Sequence, residues 1–413
     1  MRDESPWRKH WTLEPGLAFL NHGSFGACPR AVLDAQTAWR ERMEREPVRF
    51  FVRDLERLID AARSSLAAFL RADALDLSFV PNATAGVNAV LRSFPLAAGD
   101  EVLVTNHAYN ACRNACEYAA GRAGARVVVA PVPFPIRSPD EVVESVLACV
   151  GARTRLALVD HVTSPTGLVF PVERIVASLA ERGVETLVDG AHAPGMLDVD
   201  LAGLGAAFYA GNCHKWLCAP KGAGFLYVRR DRQDWVRPHV ISHGANSPRT
   251  DRSRFLIEFD WTGTADPTAY LTVPAAIEFL GSLLPGGWPE LRATNRALVL
   301  AARARLCEIL GVAAPTPDEM IGSLATVPFL ELRAGDPIPP YAALGFDPLQ
   351  VRLSDEHRIQ VPCFYWLAPQ GTAGPSLRMV RLSAQLYNAL PEYESLAEVL
   401  RDVVGEERST RGA

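Results

Sequence analysis

A carboxylate, an imidazole and a lysine stand close together in this 413-residue chain: Asp189 and His192 in Val188-Asp-Gly-Ala-His-Ala-Pro-Gly195, and Lys215 in Asn212-Cys-His-Lys-Trp216. The segments leading into them, Glu185 to Asp189 and Ala206 to Gly211, are short apolar runs bounded by turn residues, the pattern of buried strands. Ionisable groups at the ends of such strands must be solvated, paired or functional. An amine that can form a Schiff base, beside a carboxylate that can face a ring nitrogen, suits pyridoxal phosphate (PLP), with Lys215 meeting the aldehyde carbon and Asp189 the pyridine nitrogen. Singly, a lysine is usually a solvated surface charge and a strand-ending Asp a cap or turn former. Chance is a poor account of the whole constellation, which also has Pro220-Lys-Gly-Ala-Gly224 behind it.

A phosphate would find its place elsewhere in the same pattern. Pro81-Asn82-Ala83-Thr84-Ala85-Gly86 lies between a strand and a helix, where free backbone N–H groups and the helix dipole favour an anion. Asn82 and Thr84 there also read as simple helix caps. Asn212 and His214 flank the lysine and offer further donors to the same phosphate, although His214 taken alone reads as structural.

These groups need a scaffold that brings strand ends together. A helical pattern runs from about residue 30 to about Leu70, broken near Pro47. Strands are then expected at Leu77 to Val80, Glu101 to Thr105, Arg126 to Ala130, Leu156 to His161, Thr186 to Val188, Ala206 to Ala210 and Gly224 to Val228. Helices fall between them at Thr84 to Arg92, Ala111 to Arg122, 139 to 150 and 171 to 182. This alternation predicts an α/β fold with a mostly parallel sheet covered on both faces. Ligands of such sheets bind beyond the carboxyl ends of the strands. Asn82, His107, Tyr109, Ser164, Asp189 and Lys215 each follow a candidate strand and are expected on one edge. After Pro267 the pattern changes to long helices, Pro274 to Leu284 and Trp288 to Leu310, and shorter strands near Ala325 to Leu332, Gln360 to Val361 and Met379 to Leu382. We therefore expect a large domain over 20–275, a smaller C-terminal α+β domain over 276–413, and an N-terminal segment, 1–19, packing on the small domain.

Composition narrows the function. A net charge of -5 with 22% charged residues gives no basic field for nucleic acid. The first ten residues carry mixed charge and lack the apolar core of a signal peptide, and no stretch has the uninterrupted length of a membrane span, which makes the cytoplasm the expected location. The eight cysteines contain no C-x-x-C pair, so neither a disulfide framework nor a zinc ribbon is expected, and no metal site is assigned. The polar tail from Gly405 to Ala413 is the segment expected to be disordered.

With these residues in place, the chain resembles class V aminotransferase-fold enzymes of PLP fold type I, and within them the isopenicillin N epimerase-like branch. The resemblance is carried by Leu20-Asn-His-Gly-Ser-Phe-Gly26, Pro47-Val-Arg-Phe-Phe51, His107-x-Tyr109-Asn-Ala111, His161-Val-Thr-Ser-Pro-Thr-Gly167, Asp189-Gly-Ala-His192, Asn212-Cys-His-Lys-Trp216, Asp260-Trp-Thr-Gly-Thr264 and Arg381-Leu-Ser. It implies that Lys215 links the cofactor and that Asp189 keeps its ring nitrogen protonated. His192 would bond the ring's 3-oxygen, with Ser164 as a second contact. Tyr109 would stack on the ring, with His107 as the fallback. Gly263-Thr264 would reach the phosphate of a neighbouring subunit, making the active unit a homodimer with shared sites. Arg381 would grip the substrate α-carboxylate, the alternative being a strand arginine paired to a structural carboxylate. His22, Arg49 and Phe51 fall in segments that approach the substrate in this branch, although Arg49 reads equally as a surface ion pair.

The resemblance also frames the reaction. An amino acid bound at such a site can be racemised, transaminated or stripped of a β-substituent, and the residues above serve all three outcomes. Related cysteine desulfurases add a nucleophilic cysteine on the loop before the carboxylate-binding arginine. Here the nearest is Cys363, about four residues early and among apolar and aromatic neighbours, where a buried inert thiol is expected. The leading expectation is an amino-acid epimerase. A carbon-sulfur lyase acting on a cysteine conjugate or sulfoxide is the close rival, an aminotransferase a further alternative, and a PLP-binding module without turnover a remote one.

Overall fold

The computed structural model describes residues 5–333, 336, 338, 347–367 and 375–412. Among these, strands form at β1 (Ala18–Phe19), β2 (Leu77–Val80), β3 (Glu101–Thr105), β4 (Arg126–Ala130), β5 (Thr154–Asp160), β6 (Glu185–Gly190), β7 (Phe208–Asn212), β8 (Gly224–Val228), β9 (Leu324–Glu331), β10 (Ile359–Gln360), β11 (Cys363–Trp366) and β12 (Leu377–Ser383). Every residue of β2, β3, β7 and β8 is buried. Continuous apolar runs of this kind belong in a sheet covered on both sides, because neither face meets water.

Seven of these strands form one sheet in the order β2-β8-β7-β6-β5-β3-β4. From β7 to β4 all neighbours are parallel, whereas β8 is antiparallel to both β7 and β2. Strands β2, β3, β5, β6 and β7 therefore point the same way and end on one edge. Side chains alternate between the two faces. Leu158 and Leu187 pack with Val87 and Cys116, from the helices Ala83–Ser93 and Asn110–Ala123. Val159 and Val188 pack instead with Ile175 of the helix Val172–Ala180 and with Leu66 of the helix Leu55–Phe69.

The C-terminal small domain is a three-stranded antiparallel sheet, β11-β12-β9. The helices Gly287–Leu310 and Leu390–Gly412 pack on it and on each other, around Val299, Leu306, Val380 and Leu396. The chain's beginning is tied to this part: β1 pairs with β10, and Trp11 shares a cluster with Leu386 and Tyr387.

The elements that differ from the sequence expectation include β1 and the following three. The polar tail from Gly405 does not leave the fold at that point; backbone helix continues to Gly412. Val403 and Val404 are buried just before it, so the docked turns extend at one hydrogen bond per added residue. The helix Pro348–His357 and strand β11 were not anticipated either. Strand β11 is four residues long beside Pro362, and its edge pairing is set by β12 rather than by its own alternation.

Candidate active site

The strand ends on the common edge deliver the chemical groups. Lys215 sits in the turn after β7, and its Nζ lies 3.1 Å from His192 Nε2 in the turn after β6. Trp216 Nε1, which can only donate, lies 3.4 Å from His192 Nδ1. That contact makes Nδ1 the acceptor and leaves the proton on Nε2, facing the lysine. A ring N–H pointing at Nζ requires a lone pair there, which only the neutral amine has. The electrostatics agree: burial, then the Arg381 guanidinium, push the Lys215 ammonium down to about 7, with Asp189 opposing. His192 is itself held far below the usual imidazole range, by burial first and then by Lys215 and Arg381.

Two glycines hold the lysine's turn in place. Gly26 has φ +69°, and a Cβ there would fall 2.2 Å from the His214 carbonyl oxygen. Gly195 has φ +90°, and its Cβ would meet the Trp216 backbone at 2.5 Å. Neither position accepts another residue without moving the lysine. His22 supports the same turn from beneath: its Nε2 donates to the Lys215 carbonyl at 3.0 Å, and Nδ1 lies 2.8 Å from the Tyr387 hydroxyl. Fully buried and with both ring nitrogens engaged, His22 acts on the lysine backbone and does not face an open substrate space.

Asp189 closes β6, where it is buried; its Oδ1 accepts from the Ala191 amide at 3.0 Å and its Oδ2 from the Cys112 thiol at 3.1 Å. Burial raises its carboxyl above the usual range, while the Cys112 and Ala191 contacts and Lys215 oppose that shift. Tyr109, about half exposed, stands at the start of the helix Asn110–Ala123 and interacts electrostatically with Asp189, Cys112 and Arg381.

Arg381 on β12 comes in from the small domain. It is buried; Nη1 donates to the Ser164 carbonyl at 2.5 Å, and Nη2 to Ser24 Oγ at 3.0 Å. Its guanidinium lies over the Phe364 ring at 5.3 Å, and among the described residues it has no carboxylate partner. The alternative of a strand arginine paired to a structural carboxylate is realised three residues earlier on the same strand, where Arg378 binds Asp347 at 2.6 and 2.7 Å. Burial without an anion lowers the Arg381 guanidinium to about 10.

At the phosphate end, Asn82 caps the helix Ala83–Ser93 through the Ala85 amide at 2.9 Å. The Ala83 amide is taken by Asn212 Oδ1 at 2.8 Å, which pins the end of β7 to the helix N-terminus. Thr84 is half-buried beside them. His214 Nδ1 donates to the Ala223 carbonyl at 2.8 Å.

Other candidates fall away from this cluster. His107 is fully buried, with Nδ1 on Thr166 at 2.7 Å and Nε2 on the Val132 carbonyl at 3.2 Å, and it packs against Trp366. Arg49 pairs with Glu46 where both are exposed, as a surface ion pair. Phe51 packs edge-on to Trp261 and lines a separate cavity of about 270 Å³ with Arg249, Arg252 and Asp260. Thr264 is exposed on its turn. Cys363 is buried on β11, its thiol pushed up by burial, and the residues from 364 to Arg381 contain no cysteine. Sequence reasoning missed Cys112, Ser24 and Asp160; the first two became visible only through the tertiary contacts just described.

The aminotransferase class-V family model matches residues 27–338. The chain belongs to that family. It is 38% identical to isopenicillin N epimerase of Amycolatopsis lactamdurans, over 96% of this chain and 97% of that one. A putative L-cysteine desulfhydrase of Oryza sativa subsp. japonica is 32% identical, over 95% of this chain and 84% of the relative. Among solved structures, C-DES with glycine covalently linked to its PLP cofactor superposes with a TM-score of 0.72 at 22% identity, covering 96% of this chain and 100% of that one. That likeness concerns the fold. The family is one of PLP enzymes, and PLP is the cofactor of this chain. The residues present fit it: a neutral-leaning amine, a buried carboxylate and a helix N-terminus lie along one sheet edge. Among the described residues no cluster of His, Cys, Asp or Glu could hold a metal ion, and no single helix is long and apolar enough to cross a membrane.

Proposed function

We propose that this enzyme acts at the α-carbon of an amino acid, with epimerisation as its reaction. The carrying observation is the pairing of a neutral-leaning Lys215 amine with a buried Arg381 that has no carboxylate partner among the described residues. PLP, when bound, supplies an electron sink that makes the substrate α-hydrogen acidic. Lys215 would hold the cofactor covalently and, with its amine free, would serve as general base for the α-proton, which must be returned to the opposite face of Cα for the configuration to invert. Arg381 fixes the α-carboxylate with its two-pronged donor set. Asp189 would hold the ring nitrogen, His192 and Ser164 the ring oxygen, and Tyr109 the ring face. Asn82, Ala83, Thr84, Asn212 and His214 surround the phosphate, with Ala83 contributing as the backbone step at which Asn212 locks the helix end.

Epimerisation is favoured by the 38% identity to an epimerase over nearly the full length of both chains. The desulfhydrase-like relative supports carbon-sulfur lysis as the second reading. That reading needs no protein thiol, in keeping with the buried Cys363. We further propose a homodimer in which the exposed Thr264 turn of one subunit completes the phosphate site of the other. A reducing, cytoplasmic setting accords with eight free cysteines.

The test is a panel of amino acids and cysteine conjugates incubated in deuterated water. Deuterium at Cα with inversion, without stoichiometric keto acid, supports epimerisation. Pyruvate and ammonia without inversion transfer the assignment to the lyase, and retention of configuration with neither product overturns both.

A further inference from the structure

Asp160 ends β5 directly opposite Asp189 at the end of β6: the two are Cα partners in the parallel ladder. Paired residues of a parallel ladder project from the same face, with backbones ~4.8 Å apart. The face is identified by the residues two positions earlier. Leu158 and Leu187 both pack toward the helix Asn110–Ala123, which carries Cys112 and Cys116. Asp160 is only 3% exposed and Asp189 only 4%. Asp160 Oδ2 is buried and, among the described residues, has no hydrogen-bond partner. A bare carboxylate oxygen in that position is costly, and two ionised carboxylates side by side in an apolar layer cost more still. A proton on that oxygen removes the second charge and turns the oxygen into a donor, on the same face as the Asp189 carboxylate.

We propose that Asp160 and Asp189 form a carboxyl pair sharing one proton, with Asp160 as the neutral member donating from Oδ2 to Asp189. Asp160 is then a positioning residue that acts through Asp189. It fixes the carboxylate's rotamer from one side while the Cys112 thiol fixes it from the other. It also leaves the pair with a single negative charge, the complement of one protonated pyridine nitrogen. Burial, then Asp189, raise the Asp160 carboxyl well above the usual range. The backbone amides of Asp160 and Tyr109 oppose that shift. Cys112 and Cys116 stay as neutral thiols, since burial and the two carboxyls push both upward. The charged groups on the site side are Lys215, which lowers Asp189, and Arg381, which acts on Tyr109. The inference rests on the proposed role of Asp189 only for its consequence at the cofactor; the pair itself is a property of the protein.

Infrared spectroscopy of the holoenzyme carrying ¹³C-carboxyl aspartate tests the pair. At neutral pH the wild type is expected to show a carboxylic-acid C=O band that shifts on deuteration and disappears in Asp160→Asn. No such band, or one that survives Asp160→Asn, overturns the proposal. Asparagine keeps the size and a neutral donor, so this variant folds and leaves the ring ¹⁵N resonance of labelled cofactor where the wild type has it. Asp160→Leu removes the donor and is expected to move that resonance toward neutral pyridine. An unmoved resonance in Asp160→Leu removes the coupling to the cofactor. If the wild-type ring nitrogen is unprotonated while the band behaves as expected, the role of Asp189 fails and the pair stands; a protonated ring without the band is the reverse case.

Discussion

Lys215 Nζ and His192 Nε2 are 3.1 Å apart, and the Trp216 indole on the far side of the imidazole dictates that His192 presents a proton to the lysine. The contact is a readout of the amine's charge. It favours neutral Lys215 in the resting protein, the form that reacts with an aldehyde and later accepts a proton.

The pH dependence follows with a definite sign. A folded-state value of about 7 means that the reactive amine falls tenfold per unit below pH 7 and saturates above about pH 8. Cofactor capture by the cofactor-free protein, followed by stopped-flow absorbance, should show this rise. Arg381 is the second-largest cause of the lowering, so Arg381→Leu should move the midpoint to higher pH. A midpoint near 10 in the wild type would contradict the buried, neutral-leaning amine.

Replacing Lys215 by Ala should abolish the covalent cofactor band and turnover, while the fold, read by circular dichroism, is unchanged. Borohydride fixation followed by peptide mapping should locate the cofactor on the peptide containing Lys215 and on no other.

Arg381 should separate substrate binding from cofactor binding. Charge-assisted hydrogen bonds are worth ~1.5–3 kcal/mol, so Arg381→Lys should raise KM roughly 10- to 100-fold with the cofactor spectrum intact. Arg381→Met should in addition raise Tm, because it removes a buried cation that has no carboxylate partner among the described residues. Unchanged KM in both variants would return Arg381 to a structural role.

Gly26 should be as sensitive as a reacting residue although it touches no substrate. Alanine at φ +69° costs ~1–3 kcal/mol from backbone strain alone, before the 2.2 Å clash with the His214 carbonyl is relieved. Gly26→Ala is expected to lower Tm and to weaken cofactor retention on dialysis, and Gly195→Ala to do the same through Trp216. Normal retention in both would show that the lysine turn tolerates displacement.

Asp189→Ala should keep bound cofactor yet lose carbanion chemistry, measured as α-deuterium exchange. Asp189→Asn should be nearly as impaired, because an amide cannot carry the charge that matches a protonated ring. Exchange at the wild-type rate would remove the assigned role.

Much of this molecule was readable without coordinates. The strands Leu77–Val80, Glu101–Thr105 and Gly224–Val228 coincide with their apolar runs, because a strand buried on both faces writes its limits as near-continuous hydrophobicity, and the less buried edge strand Arg126–Ala130 coincides with its Val run as well. Asp189, His192 and Lys215 were legible from residue type and position in the chain, and Arg381 through the family resemblance. Four-residue β11 was not, since its pairing depends on β12 rather than on local pattern. What the sequence determined by itself was the set of strand ends and the chemistry each one carries. Only the tertiary structure decided how those side chains are used: His107 spent on Thr166 and Val132, His22 under the lysine carbonyl, and Gly26 against the turn that follows β7. Only ladder register set Asp160 beside Asp189. The physical reason is that apolar periodicity fixes the direction in which a side chain leaves its own strand. Partners 25 to more than 150 positions away are chosen by sheet order and packing, which no local pattern encodes.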